Sequence, residues 1–217
     1  MLGKNLYKEL FVTRNGSNDE YIIDSINKEY KEIINKIQKE DIVLDLGAHI
    51  GSFAIYANVK KPLKIYCVEP DDENYKLLVK NTCKQKNIVL IKGAVTGQQR
   101  LINQKKGLFK VASISNKAVG CLRNCGTLEV NVFSLLELIE KYKPTIIKMD
   151  IETEERQIDF SKIDVRLIAI EYHPGTTGQR IHSQLTRNGY NLLNEPKLNS
   201  QNNTVGIYEK LTISLKG

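Results

Sequence analysis

The 217-residue chain predicts an α/β fold in which a mostly parallel sheet carries helices on both faces and closes with an antiparallel C-terminal strand. Three observations predict it. Short runs at 42–46, 63–69, 88–92, 145–151 and 167–173 have the nearly continuous Ile/Val/Leu character of strands buried on both sides. Amphipathic segments separate them in β-α-β-α-β order. Two final runs, 189–194 and 204–211, are joined by a polar loop at 198–203 and read as an antiparallel pair.

The elements follow in order along the chain. Residues 6–13 and 21–24 read as a hairpin around Asn15-Gly16, followed by a helix that turns Tyr30, Ile33, Ile34 and Ile37 to one side. This places residues 1–40 outside the βα repeat, as a cap or appendage to a domain covering 41–217. The first strand ends at Asp45, and Gly47 and Gly51 permit a tight turn into a helix over 52–59. The second strand ends at Glu69, and Pro70 stops it. Acidic residues 71–73 start a helix that runs to about 84, where Leu77 and Leu78 face inward. The third strand stops at Gly93-Ala94. From 95 to 126 the periodicity fades among Gly97, Gly107, Gly120 and Gly126, which predicts a hairpin-rich insertion. A strand over 127–132, a helix over 133–142 and a strand running into Asp150 come next. A further strand ends at Glu171 and His173, and a helix covers 178–188.

The bulk composition excludes several classes. The chain has no run near the roughly 20 apolar residues of a membrane span, and its first residues lack the apolar core of a signal peptide, so the expectation is a soluble cytoplasmic protein. Its 4 cysteines are too few for a disulfide scaffold, and Cys121 and Cys125 alone make no metal site. The net charge of +7 is spread over the chain without an Arg-rich or aromatic-basic stripe.

The glycine turn and the acid that follows it point to a nucleotide-like ligand. A pyrophosphate needs a glycine where this chain has His49, and Asp45 would repel it. S-adenosylmethionine matches better. Its ammonium suits a carboxylate, its own carboxylate suits helix N–H groups, and its ribose diol suits Glu69. A nicotinamide cofactor is the alternative.

A second group closes the fourth strand of the repeat. Lys148, Asp150 and Glu152 share one face if extended geometry persists, and charges closing an apolar strand are costly unless they meet each other or a ligand. Lys148 and Glu152 as an internal ion pair is the structural alternative.

The segments VLDLGAHIG (43–51), YCVEP (66–70) with Asn81, GAV (93–95) and IKMDIE (147–152) with Glu155 together resemble FkbM-type methyltransferases. The resemblance covers most of residues 40–175. It implies a Rossmann-like class I methyltransferase fold with a seven-stranded sheet and S-adenosyl-L-methionine as cofactor. It implies that Asp45, Gly47, Ala48, His49 and Gly51 surround the methionine part, that Glu69, followed by Pro70, binds the ribose, and that Gly93 and Ala94 lie beside the adenine. The family's Lys-x-Asp-x-Glu-Gly-x-Glu pattern carries over onto Lys148, Asp150, Glu152 and Glu155, with Thr153 replacing the glycine. Glu171 and His173 resemble the family's acidic strand end.

The expected reaction is O-methylation of a sugar, glycan or small metabolite. Asp150 or His173 would act as base and Lys148 would orient the acceptor, with Glu152, Glu155 and Glu171 on the acceptor side. Asp150, Glu152 and His173 as ligands of a divalent metal form the alternative to this metal-free arrangement. An RNA methyltransferase and a catalytically inactive binding protein are the rival functions.

Overall fold

The computed structural model describes residues 10–111, 120–122, 126–173, 178–196 and 203–211. It opens with α1 (Asp19–Glu29) and α2 (Lys31–Asn35), then β1 (Ile42–Leu46), α3 (Ser52–Asn58), β2 (Lys64–Glu69), α4 (Asp72–Thr82) and β3 (Ile88–Lys92). A middle section follows, with β4 (Ala94–Thr96), α5 (Gln99–Gln104), β5 (Lys106–Val111), β6 (Gly120–Leu122), β7 (Leu128–Ser134) and α6 (Leu135–Tyr142). The chain continues through β8 (Ile146–Met149), β9 (Leu167–Tyr172), α7 (Gly178–Arg187), β10 (Tyr190–Leu192) and β11 (Thr204–Lys210).

The main sheet has seven strands in the order β10-β11-β9-β8-β1-β2-β3. The five from β9 to β3 are parallel, and β11 runs antiparallel to both β9 and β10, as the apolar runs predict. Alternation divides its side chains between two cores. Leu44, Leu46, Ile147, Met149 and Ile168 pack under α6 and α7 through Leu135, Leu138, Ile181 and Leu185. Val43, Ile65, Ile146 and Ala169 face the other way, against α1 to α4.

The amino-terminal segment differs from the hairpin reading. Residues 21–24 lie inside α1, and residues 1–9 lie outside the described part. Asp19 and Glu20 supply the negative charge that favours a helix start. Ile22, Ile23, Ile26 and Tyr30 then follow at helical spacing, so local period outweighs the turn signal of Asn15-Gly16. Phe11, Ile23, Tyr30 and Ile33 pack with Phe53, Ala169 and Ile207, so this segment covers a face of the sheet.

The 95–126 region does hold an antiparallel pair, β5 with β6. It belongs to a second sheet of order β4-β7-β5-β6, in which β4 and β7 are parallel. Helix α5 was not expected from the pattern. Among the described residues, no helix is long and apolar enough to cross a membrane. Cys67 is a buried free thiol and Cys83 an exposed one, while the Cys121/Cys125 pair lies outside the described side chains.

Candidate active site

The crevice forms at the carboxyl ends of β1, β2 and β8, where open α/β sheets place ligands. Gly47 takes φ +74°, and an added Cβ there would lie 1.7 Å from the Asp150 carbonyl oxygen, so only glycine lets β1 leave the sheet against β8. The Gly47 and Ala48 amides both donate to the Val68 carbonyl at 3.0 Å. His49 also adopts a left-handed conformation, with φ 51°. Its amide donates to Glu69 Oε2 at 2.8 Å, and the Asp71 amide donates to Glu69 Oε1 at 2.9 Å. Burial pushes the Glu69 carboxyl up to about 7 even though these donors favour its ionised form.

Gly47, Glu69, Pro70, Gly93 and Ala94 line this narrow crevice from one side, and Asp150 and Glu152 from the other. Four of the expected cofactor residues do not line the crevice. Asp45 is wholly buried, and the cation it meets is Lys148, whose Nζ lies 3.3 Å from Asp45 Oδ1. The sheet register explains this, because Asp45 and Lys148 are direct cross-strand partners. Ala48 is buried. The His49 ring turns towards the amino-terminal segment, with Nε2 at 3.3 Å from Arg14 Nη2 and 3.8 Å from Asp19 Oδ1. Burial lowers this imidazole to about 4, so it is neutral at pH 7. Gly51, at φ +93°, opens α3 against Leu78.

The acidic group beyond β8 is arranged differently from the sequence reading. The strand stops at Met149, and Glu152 and Thr153 both take left-handed conformations, with φ 54° and 77°. Thr153 thus holds a left-handed backbone shape at the steric cost of a β-branched residue. Extended alternation does not continue to Glu152, and the Lys148–Glu152 pair does not form. Lys148 instead bridges Asp45 and Asp150 (3.9 Å) and donates to the Gly47 carbonyl at 2.7 Å. Burial opposes its charge, but Asp45, Asp150 and Glu171 hold the ammonium protonated.

The turn aims Glu152 at His173. His173 Nε2 lies 3.3 Å from Glu152 Oε2 and 3.6 Å from Asp150 Oδ1, and Nδ1 lies 3.8 Å from Glu155 Oε1. Against its burial, these carboxylates raise the imidazole above its ordinary value. Glu155 is fully buried, takes the Ile151 amide at 2.8 Å, and burial pushes it up to about 7. Glu171 is raised by burial and by Asp150, and the Asn203 amide donates to it at 2.7 Å. The structure therefore brings together Lys148, Asp150, Glu152, Glu155, Glu171 and His173 from two strand ends and one turn.

Sequence reasoning missed four residues here. Tyr30 is fully buried with its ring centroid 5.9 Å from Lys148 Nζ, and the helical spacing identified it only as core. Arg14 and Asp19 form a bidentate pair, with Arg14 Nη2 to Asp19 Oδ1 at 2.6 Å and Nε to Oδ2 at 3.0 Å, which anchors the segment beside His49. Glu154 accepts from Thr96 Oγ1 and from Gln98 Nε2, and so ties the β8 turn to the second sheet. Asn81, noted in the motif, donates to the Ile50 carbonyl at 2.9 Å and exchanges hydrogen bonds with the Val12 backbone. His182 bonds through Nδ1 to Tyr208 Oη at 3.0 Å. A wider polar cleft borders the crevice, with Gln98, Gln104, Gln157, Arg100, Arg156 and Glu129 in its walls.

No protein-family model matches the sequence, and no curated protein matches it. Solved structures resemble it at the level of the fold. A protein described as a candidate RNA methyltransferase from Pyrococcus horikoshii is 12% identical, with 96% of this chain and 99% of that one covered and a TM-score of 0.51. A precorrin-6y C5,15-methyltransferase from Geobacter metallireducens is 12% identical, with 92% of each chain covered and a TM-score of 0.50. A Rossmann-superfamily protein from Streptococcus agalactiae is 12% identical, with 87% and 70% covered and a TM-score of 0.50. The fold is Rossmann-like, of the kind found in methyltransferases.

Proposed function

We propose that this chain is an S-adenosylmethionine-dependent methyltransferase of the FkbM type, which methylates a hydroxyl of a sugar, glycan or other small metabolite. One observation carries the reading. A single crevice is lined by the glycine turn and the acidic strand end Glu69 together with the carboxylates Asp150 and Glu152, and His173 stands behind those two carboxylates. The wall at Glu69 suits a ribose diol, because Glu69 Oε2 accepts one backbone amide and retains a lone pair. Gly47 keeps side-chain bulk out of the same wall, and Gly93 and Ala94 offer a small-residue surface for the adenine.

When bound, S-adenosylmethionine supplies an electrophilic methyl group on sulfur. The protein's share is to hold an acceptor oxygen in line with that methyl group and to take its proton. Asp150 lines the crevice, and His173 stands behind it within the same ion-pair cluster. Lys148 fixes Asp150 from beneath the turn. The adjoining cleft, with its three carboxamides, two guanidinium groups, one ammonium and two carboxylates, suits the many hydroxyls of a carbohydrate. Residues 41–217 form the transferase domain in this reading, and the amino-terminal layer meets it through Arg14 against His49 and through the Val12 backbone against Asn81.

Mass spectrometry of a cell extract incubated with the protein and an isotopically labelled methyl donor tests the reading. The expected product is a labelled methyl ether on a small hydroxylated compound. Asp150→Ala should lower its formation about 100-fold or more while donor affinity stays within about threefold. Label appearing in RNA would replace the acceptor assignment. Donor binding without any labelled product would identify a binding protein.

A further inference from the structure

We infer that Asp150, Glu152 and His173 form a binding site for a divalent metal cation of the Mn²⁺ class. One oxygen from each carboxylate and one ring nitrogen lie within 4.8 Å of one another. The distances from His173 Nε2 are 3.3 Å to Glu152 and 3.6 Å to Asp150. Ligand atoms bound at about 2.1 Å to one ion stand roughly 3.0–3.5 Å apart in octahedral or tetrahedral arrangements, so small rotamer adjustments complete the set. A mixed oxygen and nitrogen donor set suits Mn²⁺ and its first-row neighbours rather than the all-oxygen cages that Ca²⁺ prefers.

The backbone is built towards this convergence. Two successive left-handed residues, Glu152 and Thr153, turn the chain back after β8, and this turn brings Glu152 to His173 at the end of β9. Conformations that cost free energy persist where the surroundings enforce them, and here the product of the turn is the triad.

The surroundings also hold polar atoms that no protein group satisfies. Glu155 is fully buried directly behind His173, and its Oε2 has no hydrogen-bond partner among the described residues. Asp150 Oδ1, the oxygen facing His173, is a buried atom and likewise lacks one. The fully buried Tyr30 hydroxyl, on the same side of the sheet, is unpaired as well. Buried carboxylate oxygens without donors are costly, and a cation removes that cost at Asp150 directly. Glu155 is placed to hold the imidazole from its Nδ1 side, as carboxylates do behind metal-bound histidines. Lys148 is spent on Asp45 and the Gly47 carbonyl, and its 3.9 Å approach reaches only the other oxygen of Asp150.

The inference does not require a methyl donor, but it shares Asp150 and His173 with the proposed function: with the ion bound, these groups hold the cation instead of taking the acceptor's proton. Calorimetry and electron paramagnetic resonance of the full-length protein titrated with Mn²⁺, without a methyl donor, read it out. The expected result is one bound ion per chain, displaced by chelator, with affinity at least about tenfold weaker in Glu152→Gln and in His173→Gln. The Glu152 side chain is 30% exposed, and unchanged circular dichroism and melting temperature in Glu152→Gln show that the fold is kept. Glu69→Ala, on the opposite wall, should bind Mn²⁺ normally. Absence of uptake by the folded wild-type protein, or equal uptake by both triad variants, would overturn the assignment and leave the triad as an internal ion-pair cluster. Failure of S-adenosylmethionine to bind would not touch it.

Discussion

Lys148→Met is expected to lower the unfolding free energy by about 3–5 kcal/mol, because it removes the one cation paired with the wholly buried Asp45 carboxylate. Lys148 and Asp45 are 2% and 0% exposed, and neither Asp45 oxygen has another hydrogen-bond donor among the described residues. The pH dependence gives the effect a signature. Burial already raises the Asp45 pKa despite the lysine, and losing the lysine raises it further. The folded variant then holds its proton more tightly than the unfolded chain does. Its stability should therefore be highest in acid and should fall as the pH rises from the unfolded carboxylate range through the folded pKa. Urea denaturation at several pH values measures this, and the double variant Asp45→Asn with Lys148→Met should recover much of the loss. A single variant as stable as the parent at pH 8 would mean that the pair is dispensable.

Gly47→Ala should damage both the fold and the crevice. The position combines φ +74° with a Cβ site 1.7 Å from the Asp150 carbonyl oxygen, which is backbone and cannot rotate away. The chain has to part β1 from β8 just where the two walls of the crevice meet. Left-handed strain and overpacking together are expected to cost about 3 kcal/mol, and ligand binding in the crevice should vanish. Gly51→Ala is the internal control. Its positive φ of +93° is equally unfavourable, but the nearest atom is the Leu78 Cδ1 methyl at 2.9 Å, which can shift. Thermal unfolding of both variants should rank Gly47→Ala well below Gly51→Ala, and the reverse order would place the essential glycine at the helix start.

The parts of the fold that sequence made visible are those where local pattern and tertiary role agree. Strands β1, β2, β8 and β9 are apolar on both faces because both faces are covered, and the acidic residues that end them mark the crevice. The misread parts are those where partners are distant. Strand β4 is three residues after Gly93 and reads as the tail of β3, since nothing local reveals its parallel pairing with β7. Helix α5 is too short and polar to show a period. Asn15-Gly16 imitates a hairpin turn, while the helix start that follows depends on Asp19, whose buried pairing with Arg14 is a folded-state property.

The same holds within the site. Glu69, Asp150 and His173 are recognisable at strand ends. The meeting of Glu152 with His173 depends on two left-handed residues, one of them a threonine, and residue type alone points away from that geometry. Asp45 is recognisable as important but is assigned to the wrong cation, because the register between β1 and β8 is not written in either strand alone.

Calorimetric titration of the protein with S-adenosylmethionine, repeated with its demethylated product and with NAD, asks whether the crevice takes the ligand its walls describe. The sulfonium nucleoside should bind at one site, with affinity that weakens as the pH falls through about 7, where the buried Glu69 takes up its proton and loses its charge and much of its acceptor strength. Glu69→Ala should abolish that pH dependence and bind at least about tenfold more weakly. Heat of binding from NAD with none from either methionine nucleoside would show that the crevice serves another cofactor.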